Sequence, residues 1–512
     1  MYSKVVKMKI LNAIQLKEVD QLTIAAQHIS SLELMERASF ALTLAIERDL
    51  KDVSGYSFAV LCGSGNNGGD GLAVARMLQE KGAAVQIYLL NASRYSDDNL
   101  QNQRKVHPDF IKSFDAGQPP EINKDAIILD CLFGAGLSRP LDESYRALIE
   151  SINNHPNYIL SADLPSGLQA DVINAADAIV VKATKIYTFH SPKLAMLLPQ
   201  HQEWVDKYEV IDIRLDPAAI RQQHVNHYYV TEQWASSKLK ARNRFAHKGT
   251  FGHALLIGGS YGKIGAVRLS ATAAARSGCG LVTVYIPGCG YTPFQASVPE
   301  IMVLTDSNNN YIANYPAIKP YTAIGVGIGM GQEGPTGTAF VKLMRSLASD
   351  TRLVLDADAL NLLATRQDLM ANLPPNTILT PHPKELKRLI GEWTDDMEKI
   401  EKVQNFTSQY QVIIIVKGAN TMTVLPNGEL YFNSTGNAGM ATGGSGDVLT
   451  GILTSLLAQG YAAEDAAILA VYLHGAAGDA ARKKWGEESL IASDLITWLS
   501  KAFQHLKSSR IF

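Results

Sequence analysis

Short β-branched runs alternate with amphipathic helical stretches along this chain, stop, and then start again. In the first half, residues 56–61, 83–90, 126–130 and 158–162 read as buried strands, with helices predicted over 30–50, 70–80 and 145–152. The first helix opens on Ser30-Ser31-Leu32-Glu33, a capping box, and carries Leu34, Ala38, Leu42 and Ile46 at helical spacing. Strands apolar on both faces and separated by helices build a parallel sheet covered on each side. The rhythm breaks between residues 215 and 251. There Asp216-Pro217 precedes a polar stretch, and Lys238, Lys240, Arg242, Arg244 and Lys248 form a basic run, which reads as a solvated linker. Strands return at 254–257, 281–286, 353–355, 377–379 and 412–416, with a helix over 265–277 and long helices from residues 446 and 463. Pro426-Asn427-Gly428, between apolar runs at 421–424 and 430–432, signals a hairpin. The expected fold class is α/β in two domains, residues 1–222 and 223–512, because 512 residues exceed one ordinary core.

The formal net charge of -2 offers no electrostatic case for nucleic acid or an anionic membrane. No apolar stretch approaches the roughly 18 residues of a membrane span, and residues 1–11 lack the apolar core of a signal peptide. Cys62, Cys131, Cys279 and Cys289 are scattered without CxxC spacing, which argues for reduced thiols and a cytoplasmic protein. A homo-oligomer with small-molecule substrates is expected.

The densest signal is Cys62-Gly63-Ser64-Gly65-Asn66-Asn67-Gly68-Gly69-Asp70-Gly71, between a strand and a helix. Glycines let backbone amides approach a phosphate at a helix N-terminus. Gly63, Gly65 and Gly68 satisfy GxGxxG, yet the next strand ends near Asn91, where a dinucleotide fold wants an acid for the ribose. Two asparagines and an aspartate instead offer hard oxygens to a cation or polar groups to a ribose. Two further loops lie where parallel strands end: Asp130-Cys131-Leu132-Phe133-Gly134-Ala135-Gly136-Leu137-Ser138-Arg139-Pro140, and Asp163-Leu164-Pro165-Ser166-Gly167-Leu168. Ligands in open α/β sheets gather at carboxyl ends of strands, so the three loops should converge.

These strings, with Leu34-Met35-Glu36-Arg37-Ala38 upstream, resemble the NAD(P)H-hydrate epimerase domain, the YjeF N-terminal family, over roughly residues 10–215. The resemblance implies a Rossmann-like domain in which Asn66, Asn67, Gly68, Gly69 and Asp70, together with Gly134, Ala135, Gly136, Leu137, Ser138, Arg139 and Pro140, hold the hydrated cofactor. It implies potassium on Asn67, Asp130 and Ser166, and a substrate contact and catalytic role for Asp163. After Leu168 the family's Asp and Thr-Gly give way to Gln169-Ala170-Asp171-Val172-Ile173, a shortened loop that bears on closure over the substrate.

In the second half, Thr442-Gly443-Gly444-Ser445-Gly446-Asp447 precedes an apolar helix. Its free amides suit a transferring phosphoryl group. An aspartate at a helix start is ordinarily a cap; beside an anion hole it is also placed as a general base. Gly262-Lys263 lacks the spacing of a P-loop. With Gly258-Gly259-Ser260-Tyr261-Gly262-Lys263-Ile264-Gly265-Ala266, Asp356-Ala357-Asp358, Thr380-Pro381-His382-Pro383-Lys384-Glu385 and Lys417-Gly418-Ala419-Asn420-Thr421, this half resembles the NAD(P)H-hydrate dehydratase, the YjeF C-terminal family, over about residues 230–505. That resemblance implies a ribokinase-like α/β domain. Ala266, Gly329 and His382 would contact the hydrate, Lys417, Gly418, Ala419, Asn420, Thr421 and Gly446 an adenine nucleotide, and Asp447 would be the catalytic acid/base, with Mg²⁺ and ADP as cofactors and NADHX and NADPHX as substrates. GGSGD is shared with ribokinase-type small-molecule kinases, so a kinase fused to a nucleotide-binding domain is the alternative.

Overall fold

Two reciprocal caps open the first helices. Asn12 accepts from the Gln15 amide at 2.8 Å while the Gln15 side chain accepts from the Asn12 amide at 3.1 Å. Ser30 and Glu33 repeat the arrangement at 3.2 and 2.7 Å. Helices Ala13–Gln27 and Ser31–Leu50 follow, the second where the capping box predicted it and the first without any prediction. The computed structural model describes residues 7–509, so the outer ends of both expected domains, and most of the N-terminus read above, lie outside the described residues.

A two-residue strand β1 (Met8–Lys9) precedes these helices. Strands β2 (Ser57–Cys62), β3 (Ala84–Leu90), β4 (Ile111–Phe114), β5 (Ile127–Cys131), β6 (Ile159–Ala162), β7 (Lys185–Phe189) and β8 (Tyr208–Ile211) form a parallel sheet in the order β4-β3-β2-β5-β6-β7-β8. Each face has its own apolar layer. Phe58, Val60 and Cys62 of β2 face one, and Ala59 and Leu61 the other, the period of two expected of a strand. Cys62 and Cys131 are fully buried, and burial pushes both thiols up.

The second sheet comprises β1, β9 (His227–Val230), β10 (His253–Gly258), β11 (Leu281–Ile286), β12 (Met302–Thr305), β13 (Ala323–Ile328), β14 (Leu353–Leu355), β15 (Ile378–Leu379), β16 (Ile413–Val416), β17 (Met422–Val424) and β18 (Leu430–Asn433). Its order is β1-β9-β18-β17-β16-β15-β14-β13-β10-β11-β12. The run from β16 to β12 is parallel, and the predicted hairpin β17–β18 is antiparallel. Among the described residues no helix is long and apolar enough to cross a membrane.

The structure corrects the linker. Residues expected to be solvated contain helix Pro217–Gln222, strand β9 parallel to β18, and helix Glu232–Lys238. Three side chains of the basic run are fastened: Lys238 pairs with Asp465 at 2.7 Å, Lys240 donates to the Gly460 carbonyl, and Arg242 stacks on Phe251. Tyr228 and Val230 alternate inward, too short a signal to stand out among the polar residues around it. By compactness the described residues divide into 9–225 with 395–397, and 226–394 and 398–509 with 7–8. We propose these as folding units. A cut between 225 and 226 is expected to yield two soluble fragments, each with a cooperative melt by far-UV circular dichroism; two insoluble fragments from a soluble parent would rule the division out.

Candidate active sites at the strand ends

In the first unit the glycine string does not stay a loop. Helix Asn66–Glu80 begins four residues earlier than predicted, so Gly68, Gly69 and Asp70 lie within it. A Cβ on Gly68 would stand 1.9 Å from the Gly63 carbonyl oxygen, so the close approach of helix to loop requires glycine there. The loop is tied from outside by two buried asparagines that no motif contains. Asn99 donates to the carbonyls of Gly63 and Gly65 at 2.9 and 3.0 Å, and Asn102 to that of Gly69.

Asp130, at the end of β5, is fully buried. Ser166 meets it twice, through Oγ at 2.5 Å and its amide at 2.9 Å, and Ser161 and the Leu132 amide add two more hydrogen bonds. Burial pushes the Asp130 carboxyl up, and these four donors only partly offset it. The Phe133 amide in turn donates to Ser166 Oγ at 2.9 Å. At the next residue, a Cβ on Gly134 would lie 2.9 Å from Asp163 Oδ2 and 3.3 Å from Asn67 Oδ1, and the Asn67 amide nitrogen is buried without a partner. Asp163 sits at φ 66°, a left-handed conformation costly for a residue with a side chain, and accepts from the Ala135 amide at 2.8 Å.

The three loops thus bring together Asn67, Asp130, Gly134, Ala135, Asp163 and Ser166. Gly136, Ser138, Arg139 and Pro140 are exposed, and Asn66 is exposed at the helix start. Asp70 turns toward Ser39, and desolvation, with Asp163 and Asp20 nearby, raises its carboxyl well above the usual range. Asp20, which sequence reasoning passed over, is raised to about 6 by burial and by Asp163. The shortened loop after Leu168 is closed by Asn174, which donates to the Gly167 carbonyl and accepts from the Gln169 amide.

In the second unit, Asp356 and Lys417 follow the parallel strands β14 and β16, which flank β15, and pair at 3.0 Å. Asp356 is buried, and burial pushes it up; Lys417 and hydrogen bonds from Thr450 and Thr380 nevertheless hold it below the usual carboxylate range. Its neighbour Ala357 sits at φ 48°, a strained position for alanine. Lys417 is depressed by burial but raised overall by Asp356 and Glu385. Gly446 stands beside this pair, its Cβ direction 3.4 Å from Lys417 Nζ.

Helix Ser445–Ala458 has Gly444 as its N-cap, at φ 93°, and no side-chain cap. Asp447 is therefore not a cap: its carboxyl accepts no hydrogen bond within the described residues. Burial, with Asp356 and Asp358 adding repulsion against the pull of Lys417, raises it to about 7. Asp358 also holds the loop after β13, accepting from the Gly331 amide at 2.9 Å. A Cβ on Gly329 in that loop would lie 3.1 Å from Ala266 Cβ, so these two predicted substrate contacts adjoin. His382 caps helix Pro383–Ile390: its Nδ1 accepts from the Lys384 amide at 3.1 Å and its Nε2 faces Glu385 at 3.3 Å. Lys417, Gly418, Ala419, Asn420 and Thr421 form the turn after β16, closed by Thr421 Oγ1 on the Gly418 carbonyl.

The family model described as NAD(P)H-hydrate dehydratase matches residues 254–501, and that described as YjeF-related protein N-terminus matches 31–195. A bifunctional NAD(P)H-hydrate repair enzyme of Moorella thermoacetica is 33% identical, over 98% of this chain and 97% of that protein. The chain belongs to the bifunctional NAD(P)H-hydrate repair enzyme family. The family member from Coxiella burnetii is also 33% identical, with 95% and 97% covered. A solved ribokinase-like superfamily protein from Enterococcus faecalis matches with a TM-score of 0.50 and 25% identity, over 56% of this chain and 98% of its own. The repair family's two-domain layout accounts for two sheets with two sets of strand-end acids in one chain.

Asp447 generates a prediction of its own. Its folded pKa lies above the unfolded value, so stability falls as pH rises from about 4 through about 7. Asp447→Asn removes that burden. Calorimetry at pH 8 should find the variant melting higher than the parent by roughly 3–8 °C, with about half that gain at pH 5.5. A lower melting point at both pH values would mean that the carboxylate braces the fold.

Proposed function

We propose that the first unit interconverts the R and S hydrates of NADH and NADPH, and that the second dehydrates the S hydrate at the expense of ADP, releasing AMP and phosphate. The observation that carries the second half is Asp447: an unpaired, half-buried carboxyl near neutrality, in the first turn of an uncapped helix. A base with that pKa accepts a proton at physiological pH without binding it too tightly to give up. Asp447 takes the proton of the hydrate's 6-hydroxyl as that oxygen bonds to the terminal phosphorus of ADP and the bond to AMP breaks. The amides at the start of helix Ser445–Ala458 face the transferring group. Phosphate then leaves C6, helped by the ring nitrogen lone pair, and loss of the C5 proton restores the dihydropyridine. Lys417 and the turn to Thr421, with Gly446, hold the nucleotide; Ala266, Gly329 and His382 border the hydrate. Mg²⁺, bound with the donor phosphates, would supply charge neutralisation during transfer.

In the first unit Asp163 works on the hydrate, and the loops at Asn66–Asp70 and Gly134–Pro140 cradle it. Among the described residues the buried Asp130 carboxyl is met by neutral donors, Ser166 foremost, with no cationic partner in hydrogen-bonding reach, and Asn67 Oδ1 lies beside Gly134. Such oxygen donors suit potassium, which supplies the missing positive charge. A reduced, cytoplasmic setting fits four cysteines of which none is bonded.

Mixing both hydrate epimers with the protein, ADP and Mg²⁺ should return NADH absorbance completely. A stable phosphorylated alcohol as product would instead mark a small-molecule kinase. Asp447→Asn should lower the ADP-dependent rate by about two to four orders of magnitude and leave epimerisation untouched. Potassium has a readout apart from activity: at about a hundred times its Kd it should stabilise the first unit by about 2.7 kcal/mol. The corresponding rise in melting temperature should be absent with tetramethylammonium and lost in Asp130→Ala; equal shifts with both cations would remove the assignment.

A further inference from the structure

Behind Asp163 lies a lysine that belongs to none of the motifs. Lys193 follows β7, and its side chain is 1% exposed. Its ammonium has three donors and uses all three, on Asp163 Oδ1 at 2.5 Å, Thr188 Oγ1 at 2.8 Å and the Phe189 carbonyl at 3.1 Å. A buried ammonium persists only when its charge is met, and Asp163 is the carboxylate that meets it.

The surroundings are built at a cost that packing alone does not require. His190, in the turn leading to Lys193, sits at φ 67°, the left-handed region that Asp163 also occupies at the end of the neighbouring strand. His190 Nε2 and Ser191 Oγ are buried without partners. Strain and unmet polar groups collected at one spot mark a site rather than a scaffold. The geometry is also directional. With Oδ1 held by Lys193, Asp163 presents Oδ2 toward the Ala135 amide and Gly134, on the side where the Asn67 amide is buried and unpartnered.

We propose that Lys193 is a positioning residue of the epimerase site: by locking Asp163 Oδ1 it aims Oδ2 at the hydrate-binding loops. Lys193 itself is too deep to touch the substrate. Two other carboxyls, Asp20 and Asp70, stand near enough to influence the cluster and are both pushed up, while Lys193 bonds to Asp163 alone. The inference rests on the reading of Asp163 as the group that works on the hydrate.

The test uses the full chain, with R-to-S interconversion followed by chromatography in the absence of ADP. Dehydration of the S hydrate by the same molecule controls for the amount of intact protein, and the cooperative melt of the first unit by far-UV circular dichroism controls for its fold. Lys193→Ala should lower kcat for epimerisation by about a hundredfold, the scale of a catalytic group displaced by about 1 Å, with KM changed less than about threefold. Methylammonium, small enough for the vacated space, should restore part of kcat; tetramethylammonium should not. Thr188→Val, which removes one of the three anchors, should show a smaller loss of the same kind and decides the matter if Lys193→Ala does not fold. Parental kcat in both variants would overturn the proposal, and so would a loss that methylammonium leaves untouched and that falls equally on both activities. Asp163→Asn separates the two readings: if it epimerises like the parent, the role of Asp163 fails first, whereas an inactive Asp163→Asn beside a fully active Lys193→Ala leaves Asp163 in place and removes Lys193.

Discussion

A strand buried on both faces can hold a charged side chain at one point, its carboxyl end, where the sheet stops and helix N-termini begin. Four of the ionisable groups of the two sites stand there. Asp130 lies in the last turnout of β5, Asp163 follows β6, Asp356 follows β14 and Lys417 follows β16. Two residues earlier on the same strands stand Ile128, Ser161, Val354 and Ile415, all buried. A charge moved back to any of these would lie between helical layers with no partner, at a cost of several kcal/mol. The sites are thus a consequence of building parallel sheets from apolar strands, and the loops that follow have only to bring neighbouring strand ends within reach of one another.

Within each site one buried ammonium is shared unequally among several acids. Lys417 bonds to Asp356 and draws it down, while burial, with two aspartates adding to it against the more distant pull of the same lysine, raises Asp447 to about 7. In the first unit Lys193 bonds to Asp163, while burial raises Asp20 to about 6 and pushes Asp70 up as well. Environments that push like groups apart assign their roles. Beside Lys417, Asp356 remains a carboxylate, and Asp447 beyond it is left able to take a proton.

Much of this was legible in the residues. The capping box at Ser30 predicted helix Ser31–Leu50, the Asn427-Gly428 turn predicted the β17–β18 hairpin, and acids ending apolar runs predicted where Asp130 and Asp163 would gather. Lys193 was not legible, because a lysine in His190-Ser191-Pro192-Lys193 looks like any surface lysine until the fold closes over it. Strand β9 was hidden because four residues with polar neighbours carry little periodic signal. The parallel strand β13 was missed because its glycines, Gly325 and Gly327, dilute an otherwise apolar run, though Gly325 packs against Thr454 and Leu256. The glycine string after β2 reads from sequence as a loop open to a phosphate, a cation or a ribose; from Asn66 onward it is helix, and its glycines serve close packing as much as ligand approach.

The helix that bears Asp447 shows why the expected cap is absent. An ordinary N-cap side chain stabilises a helix by about 1 kcal/mol by bonding to the first free amides. At Ser445–Ala458 that position is Gly444, so those amides remain available to a ligand. A helix without its cap should fray, yet this one is held elsewhere. Thr450 donates to Asp356 at 2.7 Å, His474 reaches the Ser445 carbonyl at 3.0 Å, and Val448, Leu449, Ile452 and Leu453 are buried. Burying four such side chains stabilises by about 6–12 kcal/mol as an upper estimate, far more than the cap forgoes. Packing one turn inside the helix therefore lets its first turn stay unsatisfied. An unpaired acid can stand in that turn because its neighbours, rather than its own hydrogen bonds, keep the backbone in place.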